Sequence, residues 1–175
     1  MLQTAWDEIE SIYSYPGIYP ATIEQFKDLK TSQPTHTKKE GNLHHYCSFF
    51  LPYDREVGKI YLGHHIKAND WIPPGGHIEI GETPKDAAIR EMMEELQVKI
   101  VRNQLIPFNL SVKIVNQPGR GCVTHYDVWH FVDINVQKFD YLQSEYHDAG
   151  WFTIPEGVKK ITKNPDFATI ISKIK

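Results

Sequence analysis

Residues 76–98 read GHIEIGETPKDAAIREMMEELQV. Glu82, Glu91, Glu94 and Glu95 gather with Arg90 on and just before one short segment. Thr83 suits an N-cap and Pro84 the first helical position. Asp86, three residues after the cap, can reach back to it and complements the helix dipole. From Pro84 to Leu96 the residues are mostly strong helix formers, so the spacing predicts a helix over that span. On it Arg90, Glu91, Glu94 and Glu95 fall within roughly 140° of arc. Ala88, Ile89, Met92, Met93 and Leu96 are expected on the packed side. An ordinary solvated acidic face would explain a lone Glu-Glu pair. Here Glu91 and Glu95 repel at i, i+4, and Glu94 stands beside both. A divalent cation turns that repulsion into attraction, and carboxylate oxygens favour Mg²⁺ or Mn²⁺ over zinc.

Upstream lies Trp71-Ile72-Pro73-Pro74-Gly75-Gly76-His77. Two prolines stiffen this loop, and two glycines let the backbone approach a ligand closely. Alone the run would read as a plain turn. It matters because it leads directly into the acids.

The stretch resembles the Nudix box, Gly-x5-Glu-x7-Arg-Glu-U-x-Glu-Glu-x-Gly-U, with U a bulky aliphatic residue. Gly76, Glu82, Arg90, Glu91, Met92, Glu94, Glu95 and Val98 match. Chance agreement of the six glycine and charged positions in one window is ~10⁻⁷. Gln97 stands where the family has glycine. If the helix exit there is left-handed, Gln costs roughly 1 kcal/mol.

The resemblance implies an α/β class: the Nudix fold, an α/β/α sandwich with a mixed β-sheet. It also implies Mg²⁺-dependent hydrolysis of a nucleoside diphosphate derivative, with Mn²⁺ as a substitute. Glu91, Glu94 and Glu95 match the metal ligands, and a carbonyl of Gly75 or Gly76 is a further candidate. Glu82 and Arg90 match positions that orient the acidic helix and the loop. Two candidates stand for general base: Glu91, and Glu145 on the later loop Ser144-Glu145-Tyr146-His147-Asp148. An ordinary exposed loop acid is the competing reading of Glu145.

Family marks for ADP-ribose and diadenosine polyphosphates, a proline or a tyrosine about fifteen to eighteen residues past the box, are absent. The leading expectation is a pyrophosphohydrolase that cleaves a nucleoside triphosphate, including a damaged or non-standard one, to monophosphate and pyrophosphate. Hydrolysis of a nucleotide-sugar or another nucleoside diphosphate conjugate is the second. A non-catalytic nucleotide-binding module is a third class, disfavoured because every box carboxylate is present. An isoprenyl diphosphate isomerase would need a catalytic cysteine in a motif that Cys47 and Cys122 do not show.

The chain has 175 residues, enough for a substantial core, and a net charge of −3, which offers no footprint for nucleic-acid polymers. Cys47 and Cys122 lack metal spacing, and the N-terminus lacks a signal-peptide pattern, so a reduced cytoplasmic protein is expected. No apolar run approaches a membrane span. Among the 9 histidines none forms His-x-x-x-His, so no zinc site is expected. By strand alternation His125 and Asp127 share one face, lining substrate, forming a surface pair or serving as satisfied hydrogen-bond partners. His77 can reach a phosphate or serve structure.

Residues 1–42 read as an N-terminal helical extension and linker, and residues 43–175 as the Nudix domain. Trp6, Ile9 and Tyr13, then Ile23, Phe26 and Leu29, recur at helical spacing, while Thr31–Asn42 reads as loop. The extension is expected to dock, cap the pocket or form a homodimer contact. Strands are expected over 45–53, 59–65, 105–115, 122–134 and 149–154, with a closing helix over 165–174.

Overall fold

His44–Asp54 forms β1, and every residue of it except His44 is buried. It therefore runs as a strand covered on both faces rather than as an alternating edge. The computed structural model describes residues 4–33 and 35–174. Within it the other strands are β2 (Lys59–His65), β3 (Asp70–Ile72), β4 (Gly75–His77), β5 (Leu105–Gln117), β6 (Cys122–Asp133) and β7 (Tyr146–Thr153). The helices are α1 (Ala5–Ile12), α2 (Pro20–Ser32), α3 (Pro84–Leu96), α4 (Ile154–Lys160) and α5 (Pro165–Ser172). The strands pair in the order β3-β2-β1-β6-β5, with β4 on β1 and β7 on β2. The α/β class expected from the sequence is the one observed.

The chain divides into two compact units. One takes the chain up to Phe49, Gly75–Ala88 and Pro107–His130; the other takes Phe50–Pro74, Ile89–Ile106 and Phe131 onward.

In the first unit α1 and α2 supply much of the core. Thr4 and Asp7 form a reciprocal capping box at the start of α1, with bonds of 2.9 and 3.1 Å. Ile9 and Ile12 of α1 and Phe26 and Leu29 of α2 pack with Tyr46, Ile78, Ala87, Leu110 and Val128. Burying each large apolar side chain contributes about 1.5–3 kcal/mol, so these helices are held by a substantial apolar interface. Lys30 sits 4.0 Å over the Trp6 ring. β4 pairs antiparallel with β1 through Cys47↔His77, Ser48↔Gly76 and Phe49↔Gly75. A Cβ on Gly75 would fall 2.5 Å from the Ser48 carbonyl oxygen and 2.9 Å from Phe49 Cα, so only glycine fits this close strand approach. The segment read as loop around Trp71–His77 is thus two short strands joined by Pro73-Pro74.

In the second unit β2 pairs antiparallel with β3 and β7. Gly63 of β2 leaves room for the Tyr146 ring, since a Cβ there would lie 2.2 Å from Tyr146 Cδ1. Asp70 is buried and gathers donors from the α4–α5 turn: the backbone N–H groups of Thr162, Lys163 and Asn164 and the side chains of Thr162 and Asn164. Burial alone would raise its pKa, but these bonds outweigh it and the net shift is downward.

Four details differ from the sequence reading. α4 was not among the elements expected. Thr153 and Glu156 form a capping box at 2.7 and 2.9 Å, and Pro155 lies in the first turn, where it is tolerated. β7 starts at Tyr146 rather than Ala149. On α3, Met93 is exposed at 43%, whereas Glu95 is buried at 6%. The helix is turned from the expected face because Glu95 finds a buried donor, described below. α5 ends at Ser172, and Phe167, Ile170 and Ile171 are its buried residues.

Candidate active site

The start of α3 is fixed by hydrogen bonds from three directions. Thr83 Oγ1 donates to Asp86 at 2.8 Å, and the Thr83 N–H donates to the same carboxylate at 3.1 Å. The Asp86 N–H returns a bond to Thr83 Oγ1 at 3.3 Å, completing the capping box the sequence predicted. The Ser48 hydroxyl of β1 donates to the Pro84 carbonyl at 2.8 Å. From α1, the buried Glu8 carboxylate accepts the Lys85 N–H at 2.8 Å. An acid at that end also meets the positive pole of the helix. His130 Nε2 lies 3.5 Å from the same Glu8. Just before the helix, the Glu82 carboxylate accepts the Glu79 N–H at 3.0 Å and the Glu82 N–H donates to the Glu79 carbonyl at 3.1 Å. Gly81 sits inside this turn with φ +83°, which suits glycine. Glu82 thus ties the loop that enters the helix. Gly75, Gly76 and Glu82 lie in the first unit.

The second unit holds Arg90, Glu91, Glu94, Glu95 and Glu145. Arg90 Nη1 donates to Glu91 at 2.8 Å and to Glu94 at 3.1 Å. One guanidinium therefore spans two neighbouring carboxylates and offsets their repulsion. Glu95 behaves differently. Its carboxylate accepts the Tyr146 hydroxyl at 2.7 Å in a buried position. Burial and then the charge of Glu95 push the Tyr146 pKa well up, so the hydroxyl keeps its proton and remains a donor. The Leu142 N–H also donates to the Glu95 carbonyl at 2.7 Å.

These two bonds fasten the segment carrying Glu145 to α3. Lys67 Nζ donates to both Glu145 oxygens, at 2.9 and 3.0 Å. His65 Nδ1 accepts the Ala68 N–H at 3.1 Å, so Nε2 carries the ring proton and points to Glu145 at 3.5 Å. Burial lowers the His65 pKa, with Glu145 pulling the other way. The Glu145 backbone carbonyl accepts the Ile66 N–H at 2.8 Å. Tyr146, Lys67 and His65 were not singled out from the sequence. Their sole signal was the position of Tyr146 next to Glu145.

Arg90 and Glu94 also rim a cavity of about 500 Å³ with Met93, Ile100 and Val101. In the first unit, Asp127 and His125 lie on β6. Asp127 is fully buried, and burial lifts its pKa to about 7 against the hydrogen bond from Ser111 at 3.1 Å. Such a group is not the surface partner that alternation allowed.

A Nudix domain model matches residues 44–173. The chain belongs to the Nudix family. Among solved structures, the Escherichia coli dihydroneopterin triphosphate pyrophosphohydrolase superposes with a TM-score of 0.63 at 19% identity, covering 74% of this chain and 93% of the other. A Caenorhabditis elegans Ap4A hydrolase reaches 0.53 at 19% identity, over 73% and 93%. These likenesses show the Nudix fold. The m7GpppN-mRNA hydrolase NUDT17 of Xenopus laevis is 46% identical over 35 residues, which is 20% of this chain and 12% of that protein. Its Danio rerio counterpart is 40% identical over 37 residues, or 21% and 12%. This chain thus aligns with only about an eighth of the length of these curated relatives. No helix among the described residues is long and apolar enough to cross a membrane, and neither Cys47 nor Cys122 is in a disulfide among the described residues.

Nudix enzymes generally use divalent metals, and the box acids carry the oxygen-donor chemistry that such an ion takes. Glu91, Glu94 and Glu95 offer hard oxygen donors at i, i+3 and i+4 of one helix, as Mg²⁺ or Mn²⁺ prefers. A carboxylate has two oxygens with several lone pairs, so the Tyr146 bond to Glu95 is compatible with a cation on the same group.

Proposed function

We propose that this Nudix protein is a Mg²⁺- or Mn²⁺-dependent pyrophosphohydrolase that cleaves a nucleoside triphosphate to the monophosphate and pyrophosphate. The observation that carries this reading is the organised set of box acids: Arg90 bridges Glu91 and Glu94, while Tyr146 holds Glu95. In this proposal Glu91, Glu94 and Glu95 hold the ion. When bound, the ion neutralises the diphosphate and makes water a better nucleophile.

The side chains supply the rest. Arg90 keeps two carboxylates aimed together, and Glu82 holds the loop before the helix. Tyr146 fixes the rotamer of Glu95. Glu145 accepts the proton of the attacking water, with Glu91 as the competing base. Two Glu145 lone pairs go to Lys67, and the carboxylate retains others for that proton. The bonds that join the Glu145 segment to α3 support Glu145 over an unanchored loop acid.

A second reading, a nucleoside diphosphate conjugate as substrate, is favoured by the local identity to the NUDT17 hydrolases. A product assay decides. Purified protein with Mg²⁺ or Mn²⁺ is offered nucleoside triphosphates, oxidised nucleotides, nucleotide-sugars, dinucleotide polyphosphates and a cap dinucleotide. Monophosphate plus pyrophosphate from a triphosphate, lost in Glu94→Gln, is the expected result. Preferred cleavage of a conjugate selects the second reading. Tight nucleotide binding without turnover on any substrate overturns both in favour of a binding module.

A further inference from the structure

Four side chains with metal-binding atoms converge on the strands of the first unit. His45 lies on β1, His77 ends β4, Cys122 opens β6 and His125 follows it. One donor atom from each lies within 4.8 Å of all the others. The three imidazole centroids are 4.8, 5.0 and 5.2 Å apart. Cys122 Sγ stands 3.6 Å from His77 Nε2. Two donors of a tetrahedral zinc ion, at ordinary Zn–S and Zn–N lengths, are also about 3.6 Å apart.

The ring orientations bear on what the cluster can hold. His45 is fully buried, and its Nδ1 lies 2.8 Å from the Asn42 carbonyl oxygen. A carbonyl only accepts, so Nδ1 carries the proton and Nε2 keeps its lone pair. A backbone carbonyl fixing the far nitrogen is the usual support of a metal-bound histidine. His45 Nε2 and His125 Nε2 are both buried and have no hydrogen-bond partner among the described residues. Packing of three rings accounts for the centroid distances but leaves these two nitrogens unsatisfied. Buried polar atoms are rarely left so.

We propose that His45, His77, Cys122 and His125 form a closed zinc site of one thiolate and three imidazoles, separate in chemistry from the carboxylate site of the box. Such a donor set suits a borderline ion and suits Mg²⁺ poorly. On binding, the Cys122 S–H bond breaks, an S–Zn bond forms and the proton leaves to solvent. With all four positions taken by protein, the ion would be structural. It would tie β1, β4 and β6 together at the residue following Gly76.

The test uses the full chain, stripped with a chelator and titrated with Co²⁺, then with Zn²⁺. The expected result is about one Co²⁺ per chain, with a thiolate-to-cobalt charge-transfer band and tetrahedral visible bands, both abolished by Zn²⁺. Cys122→Ser should lose the charge-transfer band, and His45→Gln should weaken binding about tenfold or more. Glu94→Gln should retain the full spectrum, so failure of the proposed hydrolase site and failure of this site are distinguishable. A wild-type spectrum without the thiolate band overturns the proposal, and so does a band that survives Cys122→Ser. The wild-type spectrum decides by itself if the Cys122 variant does not fold. Nucleotide binding lost in His125→Gln, with no metal bound by the wild type, would make the cluster a substrate surface instead.

Discussion

The acidic half of α3 and the histidine–cysteine cluster are both dense groups of polar side chains, built in opposite ways. The acids come from six consecutive residues, 90–95, on one helix. Arg90 bridges two of them and Tyr146 fixes the third. The cluster comes from three strands and spans about 80 residues of sequence, and two of its buried nitrogens have no hydrogen-bond partner among the described residues. A helix brings charges together by spacing alone, whereas strands do so only once their register is set. The first group is therefore legible as a motif and the second is not.

Deleting residues 1–33 removes Ile9, Ile12, Phe26 and Leu29 from the first unit's core. At about 1.5–3 kcal/mol each, their loss approaches the whole stability of a typical domain, about 5–15 kcal/mol. The truncated chain should show no cooperative thermal transition. A sharp transition near the wild-type midpoint would show that the extension merely docks.

Glu94→Gln attacks the acids and spares the strands. Turnover should fall about a hundredfold or more with the melting midpoint nearly unchanged. Near-normal activity would reject Glu94 as a ligand.

Asp70 offers a buried acid whose charge is well bonded, in contrast to the unsatisfied histidine nitrogens. Asp70→Ala should cost about 3 kcal/mol near pH 7 by urea unfolding. Because the folded pKa is lowered, this contribution is present above the unfolded value and is lost as pH falls through the folded pKa. The difference from wild type should therefore shrink in acid. An equal difference at pH 7 and in strong acid would contradict this account.

Tyr146→Phe removes the buried hydroxyl that donates to the Glu95 side chain. A stability loss of about 1–3 kcal/mol is expected, together with weaker Mn²⁺ binding by titration. Unchanged Mn²⁺ affinity would separate Glu95 from the metal. Gly63→Ala should act in the same direction, since its Cβ would displace the Tyr146 ring.

The smallest effect lies at the helix exit. Gln97 has φ +56°, and its N–H donates to the Met93 carbonyl at 3.1 Å, as in a left-handed C-cap. The sequence reading anticipated this strain at the one box position that departs from glycine. Gln97→Gly should raise stability by about 1 kcal/mol in chemical denaturation. A neutral or destabilising result would show that the Gln97 side chain compensates.

The sequence alone determined α3: its Thr83–Asp86 cap, its acidic residues, the strain at Gln97 and the family. All of these depend on residues close together in the chain, within reach of helix periodicity and turn chemistry. It also marked Ile9, Phe26 and Leu29 by their spacing, though not what they pack against. Only the tertiary structure decided that Met93 faces out and Glu95 faces in, because the donor that makes burial tolerable, Tyr146, lies 51 residues away. Likewise His45, His77, Cys122 and His125 show no metal spacing along the chain. Their meeting depends on strand pairing, such as Cys47↔His77, and register is a property of the folded sheet that no local pattern encodes.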